Sequence, residues 1–327
     1  SSVCLFVPTL VIAVMIQKCD DVLVEISQRL RVMRTQELSK YAIPDYLAEE
    51  PQRLIVAKVV DEDNPSPQPT ARSCSSDTDS SGAIVSASSR INQAWRKRIC
   101  EWCFQVVDHF EFEREVVSIA MSYFDRFVAT HAVNRRIIQL VAITALHLAI
   151  KLFEPKKLQI TCLIELSRGY FTSEHIIAME SSMLQSLQWH VHPPTPFAFC
   201  SDLLRLVSED IHPNTRYDLE EMARFLTELS VCDYWFVTRN PSSIALAAII
   251  SAIELQGSRI DNLKYEVDFL HRVADIGIDI TKDEEVTECY NRLRKLFTAG
   301  GYNSSLDEPP AETVESRDGE HADGTLS

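Results

Sequence analysis

No glycine interrupts the chain between Gly82 and Gly169, and all 327 residues hold only 8, where average usage gives about 23. That scarcity closes off most architectures. A doubly wound nucleotide fold needs clustered glycines to bring backbone up to phosphate, and neither GxGxxG nor GxxxxGK[ST] occurs. A β-sandwich needs turn glycines at short intervals, and those are missing as well. Hydrophobic residues make up 46% and charged ones 24%, enough to bury a core. A mostly helical protein of about two domains remains.

From Arg90 onward helical spacing governs the chain. Ile91, Trp95, Ile99, Trp102, Val106 and Phe110 recur every three or four residues and make one apolar stripe. Residues 111–128 repeat the pattern with Val116, Ile119, Ala120, Tyr123, Phe124 and Phe127. Asn134 is placed to cap a third helix, 135–153, which is apolar almost all round. Its exceptions, Thr144, His147 and Lys151, share one side. A short fourth helix over 158–168 closes at Gly169, and Thr172 caps a fifth running to about Gln188. After the rigid break His192-Pro193-Pro194-Thr195-Pro196 the plan repeats, with helices expected over 197–208, 215–232, 242–255, 265–276 and 282–298. Thr281 to Glu284 forms a capping box at the last of these, and Gly300 ends it. Setting Asn134 on Asn240 places Leu140 on Leu246. The fold class is therefore all-α, as two tandem five-helix folds over 90–195 and 196–302.

The remaining segments read differently. Residues 1–32 hold a 14-residue apolar run, Val3 to Ile16, broken by Pro8. It is too short to span a bilayer and lacks the basic start of a signal peptide. A translated upstream segment or truncated gene model, a real buried or interfacial segment, and a cryptic signal anchor stay open as readings. Residues 33–60 read as an N-terminal helical segment, with Leu38, Tyr41, Ile43, Tyr46 and Leu47 on an apolar face around Pro44. Residues 61–89, with nine serines and three prolines, read as a disordered linker in which Ser66-Pro67 is a candidate phosphosite. Residues 303–327 form an acidic tail, expected to be disordered and accessible to kinases and ubiquitin ligases.

Charge and composition exclude several functions. The net charge is −15, and only 23 basic residues face 28 acidic ones over 90–302. A mildly acidic body is a poor nucleic-acid binder. Nine cysteines at irregular spacing fit reduced thiols of an intracellular protein better than a disulfide framework. Cys100 and Cys103 have no second pair to complete a zinc site, so helix packing is their default. No catalytic motif occurs, and no metal, cofactor, nucleic-acid or membrane partner is expected. Four charged residues fall on or within apolar helices: Arg96, Asp125, Lys151 and Glu180. Buried charge is costly unless paired, so opposite signs on facing helices imply pairing, against the alternative that all four reach out to solvent.

The residues that carry these charges resemble a cyclin box: Trp95-Arg-Lys-Arg-Ile-Cys-Glu-Trp102, Met121-Ser-Tyr-Phe-Asp-Arg-Phe127, Gln139-Leu140, Ala149-Ile-Lys-Leu-Phe-Glu154, Met179-Glu180, and Leu187 through Pro196. The family's Arg, Asp, Leu, Lys and Glu landmarks fall in order on Arg96, Asp125, Leu140, Lys151 and Glu180. The resemblance implies a non-enzymatic regulatory subunit that binds and activates a cyclin-dependent kinase, located in the nucleus or cytoplasm with the nucleus favoured. Arg96 and Asp125 would form an internal ion pair. Lys151 and Glu180 would meet backbone groups of the kinase C helix, with Leu152, Leu184, Trp189 and Val191 as the apolar contact. The second repeat has Gly257 in place of Lys151, so only the first should dock a kinase this way.

Departures from the family shape the finer expectation. Where the family's substrate groove begins Met-Arg-Ala-Ile-Leu, this chain has Trp95-Arg96-Lys97-Arg98-Ile99. Trp95, Ile99, Trp102 and Gln139 would line a groove for Arg-x-Leu substrates or inhibitors, while Arg98 would repel an arginine ligand. No Lys-Glu-Asn box appears, and the single Arg-x-x-Leu, Arg216 to Leu219, lies inside the fold. That favours a G1/S-like role near the D-type cyclins, although their Leu-x-Cys-x-Glu motif is also missing. The rivals are an adaptor of the transcription-factor IIB type or a retinoblastoma-like pocket, which share the fold, and a helical scaffold without a kinase.

Overall fold

The computed structural model describes residues 6–48, 54–55, 91–134, 137–208, 211–256, 262–275 and 284–300, with side chains in the first helix from Val22 onward. The linker with Ser66, the equivalent position Gly257, the Thr281 capping box and the tail 303–327 lie outside the described residues. Within them the chain is all-α apart from one two-stranded parallel pairing of β1 (Leu54–Ile55) with β2 (His131–Ala132).

Each fold is wound about one central helix. In the first, α4 (Ile138–Phe153) is surrounded by α2 (Gln93–Phe110), α3 (Glu115–Thr130) and α6 (Ser173–Ser186), and α5 (Ile160–Leu166) leans on α6. In the second, α9 (Pro241–Leu255) is surrounded by α7 (Pro196–Leu204), α8 (Pro213–Cys232), α10 (Asn262–Asp275) and α11 (Glu284–Ala299). A short 3-10 turn, Tyr234–Thr238, joins α8 to α9. Every α4 residue from Leu140 to Ile150 is buried, as are most of α9. That is why neither shows an amphipathic period: a helix apolar all round has neighbours on every side. Leu140 and Leu246, matched by the sequence repeat, are each fully buried.

The helix starts follow local capping chemistry, with one difference between the repeats. Asn92 Oδ1 accepts from Trp95 N at 3.0 Å, and Asn134 Oδ1 accepts from Ile137 N at 3.0 Å. The repeat leads one to expect the same of Asn240, but its side chain instead donates to Glu285 of α11 at 2.8 Å. The start of α9 is closed by Glu37, whose carboxylate accepts from Ser242 N at 2.9 Å and Ser242 Oγ at 2.6 Å. A carboxylate there meets both unpaired N–H groups and the positive end of the helix dipole.

Glu37 belongs to α1 (Phe6–Glu37), which packs on α7. Ile26, Leu30 and Met33 are buried in the core of the second fold beside Phe199, Leu203 and Leu246. Arg29 pairs with the buried Asp202 at 3.0 Å. The sequence reading set residues 1–32 apart, yet the structure places their later part within that core. The helix expected to continue from 33 stops at Glu37. Residues 38–48 are turns and extended chain, because Pro44 cannot donate to a helix and restrains the residue before it. Leu38 is exposed, whereas Tyr46 is buried.

Tyr46 reaches the centre of the molecule. Its hydroxyl donates to Asp125 Oδ1 at 2.7 Å. Arg96 Nε donates to the same oxygen at 2.9 Å, and Arg96 Nη2 donates to Asp125 Oδ2 at 2.7 Å. Arg96 Nη1 donates to the carbonyl of Val231 on α8 at 2.7 Å. Arg96 is 3% exposed and Asp125 2%. The chain after α1, both leading helices of the first fold and one helix of the second therefore meet at one ion pair. The Asp125 charge and burial both act on Tyr46, whose hydroxyl is held well above its ordinary range by burial first and by the carboxylate second.

Arg96→Ala leaves Asp125 buried without its cation, and losing one member of such a pair costs about 3–5 kcal/mol. Denaturant unfolding of the variant against the wild type measures this, and equal midpoints would contradict it.

Candidate functional site

The first fold presents a charged pair at the edge of an apolar shoulder. Lys151 stands in the last turn of α4 and Glu180 midway along α6, and Lys151 Nζ donates to Glu180 Oε1 at 2.6 Å. The lysine side chain is 51% exposed and the carboxylate 15%. Lys157 Nζ donates to the carbonyls of Lys151, at 2.9 Å, and Glu154. A lysine on the last carbonyls complements the negative end of a helix. Glu154 is buried and accepts from Glu113 N at 2.9 Å, which fixes the exit of α4 against the start of α3. Lys151 thus sits on a helix end that is held rather than frayed.

Beside this pair, large apolar side chains face solvent. Leu152 and Phe153 are exposed at the end of α4, and Ile177 is exposed one turn ahead of Glu180 on α6. Trp189 is 69% exposed. It lies in the turn after α6, where Gln188 has φ 51° and Trp189 φ 60°. Residues other than glycine rarely adopt that left-handed conformation, and the surroundings hold it in place. Trp189 N donates to Leu184 O at 3.1 Å. From α3, Arg126 donates to the carbonyls of His190 at 2.8 Å and Leu187 at 3.2 Å, and the Tyr123 hydroxyl donates to that of Val191. Adjacent residues of α3 thus split their tasks, Asp125 turning to the interior pair and Arg126 to this turn.

The structure brings together the residues that the sequence nominated, with a gradient of exposure. Leu184 and Val191 are half-buried against the core, while Leu152 and Trp189 project. The sequence nominated neither Phe153 nor Ile177 for this surface, and it noted His147 only as a polar residue on the side of Lys151. The first two carry no signal beyond being apolar on an outward face. His147 did carry one, since it is polar within a wholly buried helix. Its Nε2 lies 3.9 Å from Glu180 Oε2, and its Nδ1 has no hydrogen-bond partner.

The second nominated surface is less enclosed. Trp95, Ile99 and Trp102 run along α2 at spacings of four and three, all half-buried, and Gln139 is exposed in the first turn of α4. Arg98 is exposed with its guanidinium 6.0 Å from the centre of the Trp95 ring. Among the described residues no cluster of His, Cys, Asp and Glu could hold a metal ion, and no helix is long and apolar enough to cross a membrane.

Two tandem five-helix folds, each around one buried helix, define the cyclin-fold class. Residues 71–192 match the family model of the cyclin N-terminal domain, and residues 194–308 that of the cyclin C-terminal domain. The chain belongs to the cyclin family. It is similar to the G2/mitotic-specific cyclin S13-7 of Glycine max, 32% identical over 168 residues that are 51% of this chain and 63% of the relative. It is also similar to Cyclin-B1-1 of Oryza sativa subsp. japonica, 31% identical over 182 residues, 55% of this chain and 40% of the relative. The chain spans less than two thirds of the length of these relatives. Among solved structures, a viral cyclin from herpesvirus saimiri superposes with a TM-score of 0.52 at 16% identity, over 64% of this chain and 86% of that one, which shows the shared fold.

These relatives carry G2/mitotic-specific and B-type names, so the expected G1/S-like, D-type placement is not supported. It rested on short motifs that are missing, and such motifs lie outside the packing that defines the fold.

Burial pushes the His147 imidazole below its ordinary range; Glu180 pulls it up and Lys151 presses it further down. With the folded-state pKa depressed, the unfolded chain takes the proton first. The stability this contributes is full above about pH 6.5 and is lost as the pH falls below it. We expect the melting temperature to drop between about pH 7 and about pH 5, and to drop less in His147→Leu. Parallel pH profiles for the two proteins would show that His147 titrates normally.

Proposed function

We propose that this chain is the regulatory subunit of a cyclin-dependent protein kinase acting in cell-cycle progression, and that it docks the kinase through the shoulder around Lys151 and Glu180. The observation that carries this is the held ion pair beside exposed Leu152, Phe153 and Trp189. Several large apolar side chains exposed beside a charged pair mark a surface suited to a protein partner. A lysine offers three donors and a carboxylate accepts, so together they meet the two ends of exposed backbone on a partner helix. The buried rows beneath, Met179 and Met183 on α6 and Leu148 and Ile150 on α4, keep that surface rigid. A subunit that holds the kinase C helix inward selects the active state, in which the kinase's own Lys–Glu pair and metal-binding groups align. On this reading the chain performs no chemistry itself, and the complex works in the nucleus.

Lys151→Ala and Glu180→Ala should each weaken kinase binding by about 2–4 kcal/mol, as for truncation of one member of a buried charged pair, while the free protein stays folded. Calorimetric titration with a purified cyclin-dependent kinase, alongside histone phosphorylation, measures this. Binding within twofold of wild type in both variants would defeat the assignment.

The strip of Trp95, Ile99 and Trp102 supports a docking role for Arg-x-Leu peptides, weakened by the like charge of Arg98. Arg98→Ala should therefore tighten binding of such a peptide several-fold, an effect that fades with added salt. Fluorescence anisotropy of a labelled peptide reads it out.

A further inference from the structure

Two cysteines from different folds face each other beside the central ion pair. Cys100 on α2 and Cys232 at the end of α8 have their sulfurs 3.4 Å apart, 132 residues apart in sequence. Cys100 is wholly buried and Cys232 half-buried, so Cys232 is the member nearer to solvent. We propose that the pair is a peroxide-reactive site at which Cys232 is oxidised first and Cys100 then closes a disulfide between the two folds.

The surroundings divide the two roles. The hydrogen bond between the two sulfurs holds the Cys232 thiol below its ordinary range; burial and Glu101 oppose this, and Arg96 and Lys97 add to the lowering. The same hydrogen bond and burial push the Cys100 thiol well above its range. Cys232, the member nearer to solvent, meets the peroxide, and the buried Cys100 follows. Thiolate is the reactive form toward peroxide. The Cys232 thiolate attacks one oxygen of hydrogen peroxide, the O–O bond breaks, and the released hydroxide takes up a proton to leave as water, with sulfenic acid on Cys232. Cys100 sulfur then attacks Cys232 sulfur. The S–O bond breaks, and the departing hydroxide takes the Cys100 proton as a second water. Two thiols lose two electrons and one peroxide is reduced to two waters, so no further oxidant is needed. Cys103, one turn along α2, is also buried, and burial pushes its thiol up to about 12. Cys232 acts on it through its charge, but the sulfur in hydrogen-bond contact with Cys232 is that of Cys100, so Cys103 serves as the internal control.

The test exposes the full chain to hydrogen peroxide, blocks remaining thiols and digests with trypsin. The expected product is peptide 99–114 joined to peptide 225–239, separable again by dithiothreitol. Because peptide 99–114 carries both Cys100 and Cys103, the link must persist in Cys103→Ser. It must vanish in Cys232→Ala, with Cys100 then recovered as free thiol. Cys232 is half-buried, so that variant should fold, which circular dichroism verifies. The linked protein should also melt at a higher temperature than the reduced one. Three results would overturn the proposal: no linked peptide in the wild type, Cys232 driven to sulfinic acid while Cys100 stays reduced, or a link that is lost in Cys103→Ser.

Discussion

A guanidinium and a carboxylate with almost no solvent between them hold this molecule together. Arg96 and Asp125 contribute their charges from α2 and α3, but the pair is not confined to the first fold. Tyr46, from the chain after α1, adds a hydrogen bond to it, and the Val231 carbonyl of α8 accepts another from it. A buried ion pair yields little net stability when compared with well-packed apolar residues, because desolvation offsets the attraction. What it supplies here is register. Only one arrangement of the four elements satisfies both charges, and any slip strands one of them. The two folds are tied in one orientation at this point, and the Arg114–Glu228 pair and the hydrogen bond from Thr195 to Glu115 add to the tie.

The outward site depends on the same logic applied to a surface. Four residues after Leu148, α4 passes from complete burial to exposed Leu152, and Lys151 marks the crossing. The α3 sequence Tyr123-Phe124-Asp125-Arg126 serves the interior and the surface at once. Asp125 faces the hub, while Tyr123 and Arg126 hold the carbonyls of the 187–191 turn. A change on α3 therefore reaches both the tie between the folds and the position of Trp189. Rigidity at such a surface lowers the ordering cost of covering it.

Helix periodicity, capping residues and breaks were legible in the sequence because they are local. Gln93–Phe110, Ile138–Phe153 and Pro241–Leu255 fall within a few residues of their expected spans. That Arg96, Asp125, Lys151 and Glu180 would pair was suggested by the cost of buried charge, which demands a partner, but which goes with which came from the resemblance to a cyclin box. What escaped were contacts whose partners stand far apart without such a demand. Nothing in Ile26 or Leu30 indicates that they pack on Phe199, and Tyr46 looked like one more member of an apolar face. Glu37 as the cap of α9 was hidden behind Asn240, which has the right side chain in the right place and uses it for Glu285 instead. His147 was noticed as polar, but its proximity to Glu180 required the relative rotation of α4 and α6.

The placement of α1 has a consequence for how the chain is made. Ile26, Leu30 and Met33 complete a core whose other walls include Leu246, Leu293 and Phe297. During synthesis those early side chains leave the ribosome long before their partners, and contacts so distant in sequence form late. The first fold can condense around α4 while α1 still has nothing to lie against, and exposed apolar surface at that stage invites wrong association. The nascent chain thus carries an unfinished helix through the translation of some two hundred further residues, a delay that makes early chaperone binding a natural companion of this architecture.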